Sequence, residues 1–154
     1  MADGRAAWND GRPHGRKLQT RPTLVAGTAL LARLKNDTGA RVTEIELFYD
    51  HGSWMAQENE QVFGHRAFFS LTGAPGSWRL IPAFSSHFAP APSVGETPLS
   101  ARLELEDWEP GRPLFVLWAD ANGPGGTETE GTGREGACTI DNFGVRPLRQ
   151  ASGP

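Results

Sequence analysis

Oxygen-bearing side chains concentrate in one stretch of this chain. Asp120, Asn122, Glu128, Glu130, Glu135 and Asp141 are interleaved with five glycines between Gly123 and Gly133. Calcium takes about six to eight oxygens from carboxylates, amides and backbone carbonyls, and glycine lets a short loop turn tightly around them. Asp120, Asn122, Glu128 and Asp141 are therefore the candidate ligands of a structural calcium. No Asp-x-Asp-x-Asp-Gly spacing fixes that chemistry. The same aspartates can equally accept backbone hydrogen bonds at strand ends, with the glutamates simply solvated.

A second chemistry comes from the five tryptophans. An indole face stacks on the apolar face of a sugar as it does on other flat partners. Trp54 and Trp78 flank loops and are the candidate ligand-binding residues, although packing explains them as well; Trp118, inside an apolar run, reads as core. Nucleophilic and zinc chemistry find no pattern. His14, His51, His65 and His87 are scattered without ligand spacing. Ser85 and Ser86 precede His87 without a Gly-x-Ser-x-Gly elbow. Cys138, the single cysteine, lies in a strand pattern where a thiol behaves as a small buried apolar group, and alone it cannot form a disulfide within the chain.

The elements that must position these residues read as strands. The cleanest alternation runs from Leu99 to Asp107, with Leu99, Ala101, Leu103 and Leu105 against Ser100, Arg102, Glu104 and Glu106. Thr28 to Asn36 and Val42 to Asp50 alternate likewise, separated by the turn Asn36-Asp-Thr-Gly39. His65 to Leu71 and the short Ser77 to Ile81 flank a Gly/Pro turn. Leu114 to Asp120 is apolar from Leu114 to Trp118, as for a central strand covered on both sides, and Ala137 to Val145 closes the series. Gly52 to Gln61 lacks a period and reads as a loop. Pro82 to Pro98 carries four prolines, which cannot donate to a ladder, and reads as a long connection. Residues 1–22, rich in Gly, Arg and Pro, read as a flexible arm, residues 23–148 as the sandwich domain, and 149–154 as a tail. No helical period spans three turns. The chain is expected to be one all-β domain, an antiparallel sandwich or jelly roll.

The 154 residues suffice for one domain with a real core. Nineteen glycines and twelve prolines suit many short strands joined by turns. A net charge of −3 gives no reason to expect nucleic acid or an anionic membrane surface as a partner. No apolar run is long enough to insert in a membrane, and the stretch from Met1 to Trp8 has no hydrophobic signal core.

Three segments in order carry a resemblance: Leu34-Lys-Asn-Asp-Thr-Gly39; Ile45-Glu-Leu-Phe-Tyr49 with Trp54 following; and Leu117-Trp-Ala-Asp-Ala-Asn122 with Ile140-Asp-Asn-Phe-Gly-Val145. Together they resemble the jelly-roll domains of exported bacterial proteins of the PEP-CTERM-associated type, distantly like MAM, lectin, concanavalin and galactose-binding domains. The resemblance spans about residues 27–145. It implies an exported jelly-roll sandwich, usually without assigned activity, and the chain is accordingly expected to be a non-catalytic extracellular binding or interaction module, with carbohydrate or another protein as partner. A weaker resemblance joins Glu104-Leu-Glu-Asp-Trp-Glu109 to the catalytic strand of laminarinase-type glycoside hydrolases, where two carboxylates act as nucleophile and acid/base. Here Glu106 replaces the aspartate, and the alternation turns Glu104 and Glu106 away from Leu103 and Leu105. A purely structural or assembly domain, using an open sheet edge, is the third reading.

Overall fold

The computed structural model describes residues 7–9, 16–20, 27–55, 64–85, 96–121 and 137–151. Nine strands are found among them: β1 (Ala7–Asn9), β2 (Arg16–Thr20), β3 (Gly27–Lys35), β4 (Arg41–Met55), β5 (His65–Ser70), β6 (Arg79–Leu80), β7 (Thr97–Trp108), β8 (Pro113–Ala121) and β9 (Ala137–Ala151). They pair antiparallel throughout into a five-stranded sheet, order β1-β2-β9-β4-β7, and a four-stranded sheet, order β3-β8-β5-β6. One 3-10 turn, Pro82–Phe84, is the single helical piece among the described residues. No described helix is long and apolar enough to cross a membrane. The protein is an all-β sandwich, as its alternating pattern predicts.

The core lies between the sheets. β7 buries Leu99, Ala101, Leu103 and Leu105 and exposes the residues between them. β4 buries Val42, then Ile45, Leu47 and Tyr49. The change from even to odd positions is made by a bulge between Val42 and Glu44, where one extra residue resets which side faces inward. From the facing sheet come Leu114, Val116 and Trp118 of β8 with Ala67 and Phe69 of β5. Tyr49 meets Trp118 edge to face across the sandwich at 5.9 Å between centroids, and Phe84 and Phe143 close around the pair at 4.9 and 5.0 Å.

Asn36 pins one end. It is 2% exposed, yet its amide donates to the carbonyls of Ala40 (2.9 Å) and Trp108 (2.7 Å). Its side-chain oxygen accepts from the Thr38 amide and hydroxyl. One residue thus satisfies the β3–β4 turn and ties it to the end of β7, so the Asn-Asp-Thr-Gly motif is a structural clamp.

Several expectations are corrected. Arg16–Thr20, read as part of an arm, is a strand, because β9 offers it a ladder: Leu18, Gln19 and Thr20 pair with Ile140, Thr139 and Cys138. β4 runs on to Met55 through residues read as a loop, since β9 pairs with it along nearly its whole length and supplies hydrogen bonds that no local period announces. β9 likewise continues past Val145 through Pro147 to Ala151, into the residues expected to form a tail. Proline is tolerated there because, among the described residues, β2 pairs only with residues 138–140 and no strand pairs with β9 at Pro147 on that side. Finally, β8 is central but covered on one side only: Leu114, Val116 and Trp118 are buried while Phe115 and Leu117 are half-buried on the outer face.

The Ile140 to Val145 segment owes its pattern to a bulge opposite Tyr49, where Asn142 takes a positive φ of 50° and donates to Asp50 at 2.6 Å. Two residues on, a Cβ at Gly144 would sit 2.3 Å from the Phe48 ring. Gly144→Ala should therefore destabilise the domain by about 1–3 kcal/mol through overpacking, and adding Phe48→Leu should recover most of that loss. A urea-unfolding double-mutant cycle showing additive effects would contradict this account.

Candidate functional site

The two outward faces differ in chemistry. On the five-stranded sheet, Glu44 and Glu46 of β4 pair with Arg149 and Arg146 of β9 at 3.1 and 2.9 Å, and Arg102, Glu104 and Glu106 are exposed along β7. Alternating charge of this kind is an ordinary solvated face.

The four-stranded sheet is different. Its register aligns Leu31, Leu117, Phe68 and Leu80 in one row across all four strands. Leu31 is 59% and Leu80 48% exposed, with Leu117 and Phe68 half-buried between them. The next row holds Arg33, Phe115 and Ser70. The Arg33 guanidinium lies over the Phe115 ring at 6.0 Å, and Trp78 meets that ring obliquely from edge to face at 6.4 Å. On the other side of the apolar row stand Ala29, Ala119 and Arg66. The result is an apolar band with an arginine on either flank.

Trp78 is placed by a turn stitched with hydroxyls. Ser70 Oγ accepts from the amides of Thr72 (3.1 Å) and Gly73 (2.8 Å) and shares a 2.7 Å hydrogen bond with Ser77 Oγ. Thr72 donates to Ser77 as well. Gly73, at φ 72°, lies flat on Phe115, where a Cβ would come within 3.3 Å of the ring. The turn therefore delivers Trp78 to the apolar face as a half-buried neighbour of Phe115.

Of the other candidate ligand-binding and calcium residues, only Asp120 and Asp141 have described side chains, and these two face different ways. Trp54 is the next-to-last residue of β4, and its side chain is outside what is described. Asn122 and Glu128 lie outside the described residues. Asp120 points into the sandwich and is 1% exposed, whereas Asp141 pairs in register with Asp50 on the face of β9 opposite buried Ile140. Asp141 accepts the Asn142 amide at 2.8 Å, the strand-shaping role open to it from sequence. Of the β7 glutamates, Glu104 stands opposite Glu44, while Glu106 lines a shallow cleft of about 300 Å³ with Arg79 and Ser77.

Asp120 has other neighbours. It is opposite His65 in the β5–β8 ladder, and across the sandwich Thr20 is opposite Cys138 in the β2–β9 ladder. All four are buried, none more than 3% exposed. The Thr20 hydroxyl donates to Asp120 Oδ2 at 2.5 Å and lies 2.6 Å from His65 Nε2. A hydroxyl has one proton, so with that proton on Asp120 it accepts from His65, whose Nε2 then carries the hydrogen. His65 Nδ1 and Asp120 Oδ1 are buried with no hydrogen-bond partner among the described residues. His65, Asp120 and Cys138 each offer a ligand atom, all within 4.8 Å of one another.

The electrostatics follow from burial. Desolvation, reinforced by the neighbouring His51, lowers His65 from 6.5 to about 3, so the imidazole is neutral. Desolvation raises Asp120 to about 6 against the opposing hydrogen bond from Thr20. Sequence spacing could not assemble this group, since its members lie on four strands. One signal was present: Asp120 continues the inward series Leu114, Val116, Trp118, where a carboxylate is out of place.

No family model matches the chain, and no curated protein matches it.

The two shifts have opposite signs and overlap. Protonating His65 favours the unfolded chain as pH falls from 6.5 toward 3, while protonating Asp120 favours the folded chain as pH falls from about 6 to 3.8. Their sum is nearly flat between about 6 and 3.8 and is lost below that range. Asp120→Asn removes the compensating half. In chelator-containing buffer, the variant's unfolding free energy should fall relative to the unmodified protein as pH drops from about 6 to 3.8 and run parallel above pH 6. A difference that stays constant across the whole range would refute the assignment.

Proposed function

We propose that this domain is a non-catalytic interaction module that presents the outer face of its four-stranded sheet to a protein partner. The observation that carries this reading is the contrast between the two outward faces: one a charged lattice of Glu and Arg, the other the cross-strand row Leu31, Leu117, Phe68 and Leu80 beside Phe115 and Trp78. Contiguous apolar surface is costly to leave in water and characteristically marks an interaction site.

The flanking charges narrow the partner. Arg33 and Arg66 border the band on both sides, so a second copy docking by the same face would oppose like charges. An apolar surface fringed by Asp and Glu complements it. A protein fits better than a sugar because the row is largely aliphatic and the indole of Trp78 already packs against Phe115. The resemblance to domains of exported proteins supports an extracellular setting. The glutamates of β7 support catalysis poorly, Glu104 facing another glutamate and Glu106 lining an open cleft with Arg79.

The test pairs binding with controls on both faces. Leu31→Glu with Leu80→Glu should leave the melting transition in place and weaken binding of a crosslink-identified partner by about 30-fold or more, as for loss of interface anchors. Glu46→Ser on the opposite face should leave binding unchanged. Equal binding by the apolar-face variant, self-association that the variant abolishes, or glycan-array binding that it abolishes would each overturn the protein-partner reading.

A further inference from the structure

We propose that His65, Asp120 and Cys138 form a buried binding site for a zinc-class divalent ion that links the two sheets at the end of the sandwich opposite Asn36. The proposal stands on three observations apart from the outer face.

The first is placement. Two directly opposed cross-strand pairs, His65–Asp120 in one sheet and Thr20–Cys138 in the other, meet across the interior. Imidazole, carboxylate and thiol are thus offered from both layers, with ligand atoms within 4.8 Å of one another. Zinc bonds of about 2.0–2.3 Å in a tetrahedron hold ligand atoms about 3.3–3.8 Å apart, so the group closes on an ion by shortening its widest separations by about 1–1.5 Å.

The second is unmet bonding capacity. His65 is fully buried and Asp120 is 1% exposed, yet Nδ1 of the one and Oδ1 of the other have no partner among the described residues. A buried polar atom left unpaired costs about 1–3 kcal/mol. Two such atoms on the two neighbours of one buried thiol call for a further partner. With its proton on Nε2, His65 presents Nδ1 as a lone pair.

The third is the outer support. Metal-bound imidazoles characteristically donate their other ring hydrogen to a group that fixes the ring. The Thr20 hydroxyl accepts that hydrogen and passes its own to Asp120, holding two ligands with one side chain. Sulfur and nitrogen ligands select zinc over calcium, which takes oxygen. Three protein ligands leave a fourth place that a water can fill, and the depth of burial makes the role structural.

The test uses the full chain stripped with chelator and then titrated. Zinc should bind one per chain in native mass spectrometry and raise the melting temperature, and cobalt should give a thiolate-to-metal charge-transfer band. Cys138→Ser should abolish the band. Thr20→Val, which touches no ion, should weaken zinc binding by about 10–100-fold while keeping the band. Binding to the unmodified chain needs no variant to fold, so a stripped chain that takes up neither metal overturns the proposal. So does cobalt bound without the thiolate band, or calcium raising the melting temperature where zinc does not.

Discussion

The edge-to-face meeting of Tyr49 and Trp118 is the contact on which the rest of the structure depends. One ring comes from β4, between β9 and β7 in the five-stranded sheet, and the other from β8 inside the four-stranded sheet, 5.9 Å apart at 84°. Phe84 and Phe143 fill the remaining sides. Aromatic pairs favour this geometry over flat stacking and bury much surface for few rotatable bonds. Fixing the two rings fixes the spacing and relative position of the sheets, and thereby which residues at either end can meet. Phe143 reaches Trp118 from a strand bent by the Asn142 bulge, and Gly144 beyond it makes room for Phe48.

The ends of the sandwich handle polarity in two ways. At one end Asn36 is buried but fully employed, exchanging four hydrogen bonds with the turn it begins and the strand it faces. At the other, Thr20, His65, Asp120 and Cys138 are equally buried, but Nδ1 of His65 and Oδ1 of Asp120 have no hydrogen-bond partner among the described residues. A fully bonded buried amide specifies a fold. A buried imidazole and carboxylate with spare lone pairs oppose it unless something else completes them. The difference marks the first end as architecture and the second as a site.

The outward faces divide in the same manner. Cross-strand ion pairs such as Glu46 with Arg146 contribute little energy singly, but they keep the five-stranded sheet solvated and unattractive to partners. The four-stranded sheet has no such lattice along the Leu31 to Leu80 row, and its arginines lie at the margins. One layer carries a charged lattice and the other an apolar row, and the proposed contact surface rests on that contrast.

How much of this was legible in the sequence depends on the range of the interaction. Alternation is a property of neighbours, so Leu99 to Leu105 announced both strand and core, and the Asn36 turn announced itself through local hydrogen-bonding chemistry. The sandwich class followed from those. Pairing between distant segments was not legible. Arg16–Thr20 and residues 52–55 have no period of their own and become strands because β9 supplies their hydrogen bonds. The apolar run at Leu114 to Trp118 announced burial but not its sidedness, which a two-layer architecture limits to one face. The inward-facing carboxylate of Asp120 could be suspected from the parity of its strand. Its neighbours could not, because His65, Thr20 and Cys138 reach it only through register and the packing of one sheet on the other. Sequence determined the elements through short-range sterics and hydrophobic period; tertiary structure alone decided the constellations, because those are fixed by which strands become neighbours.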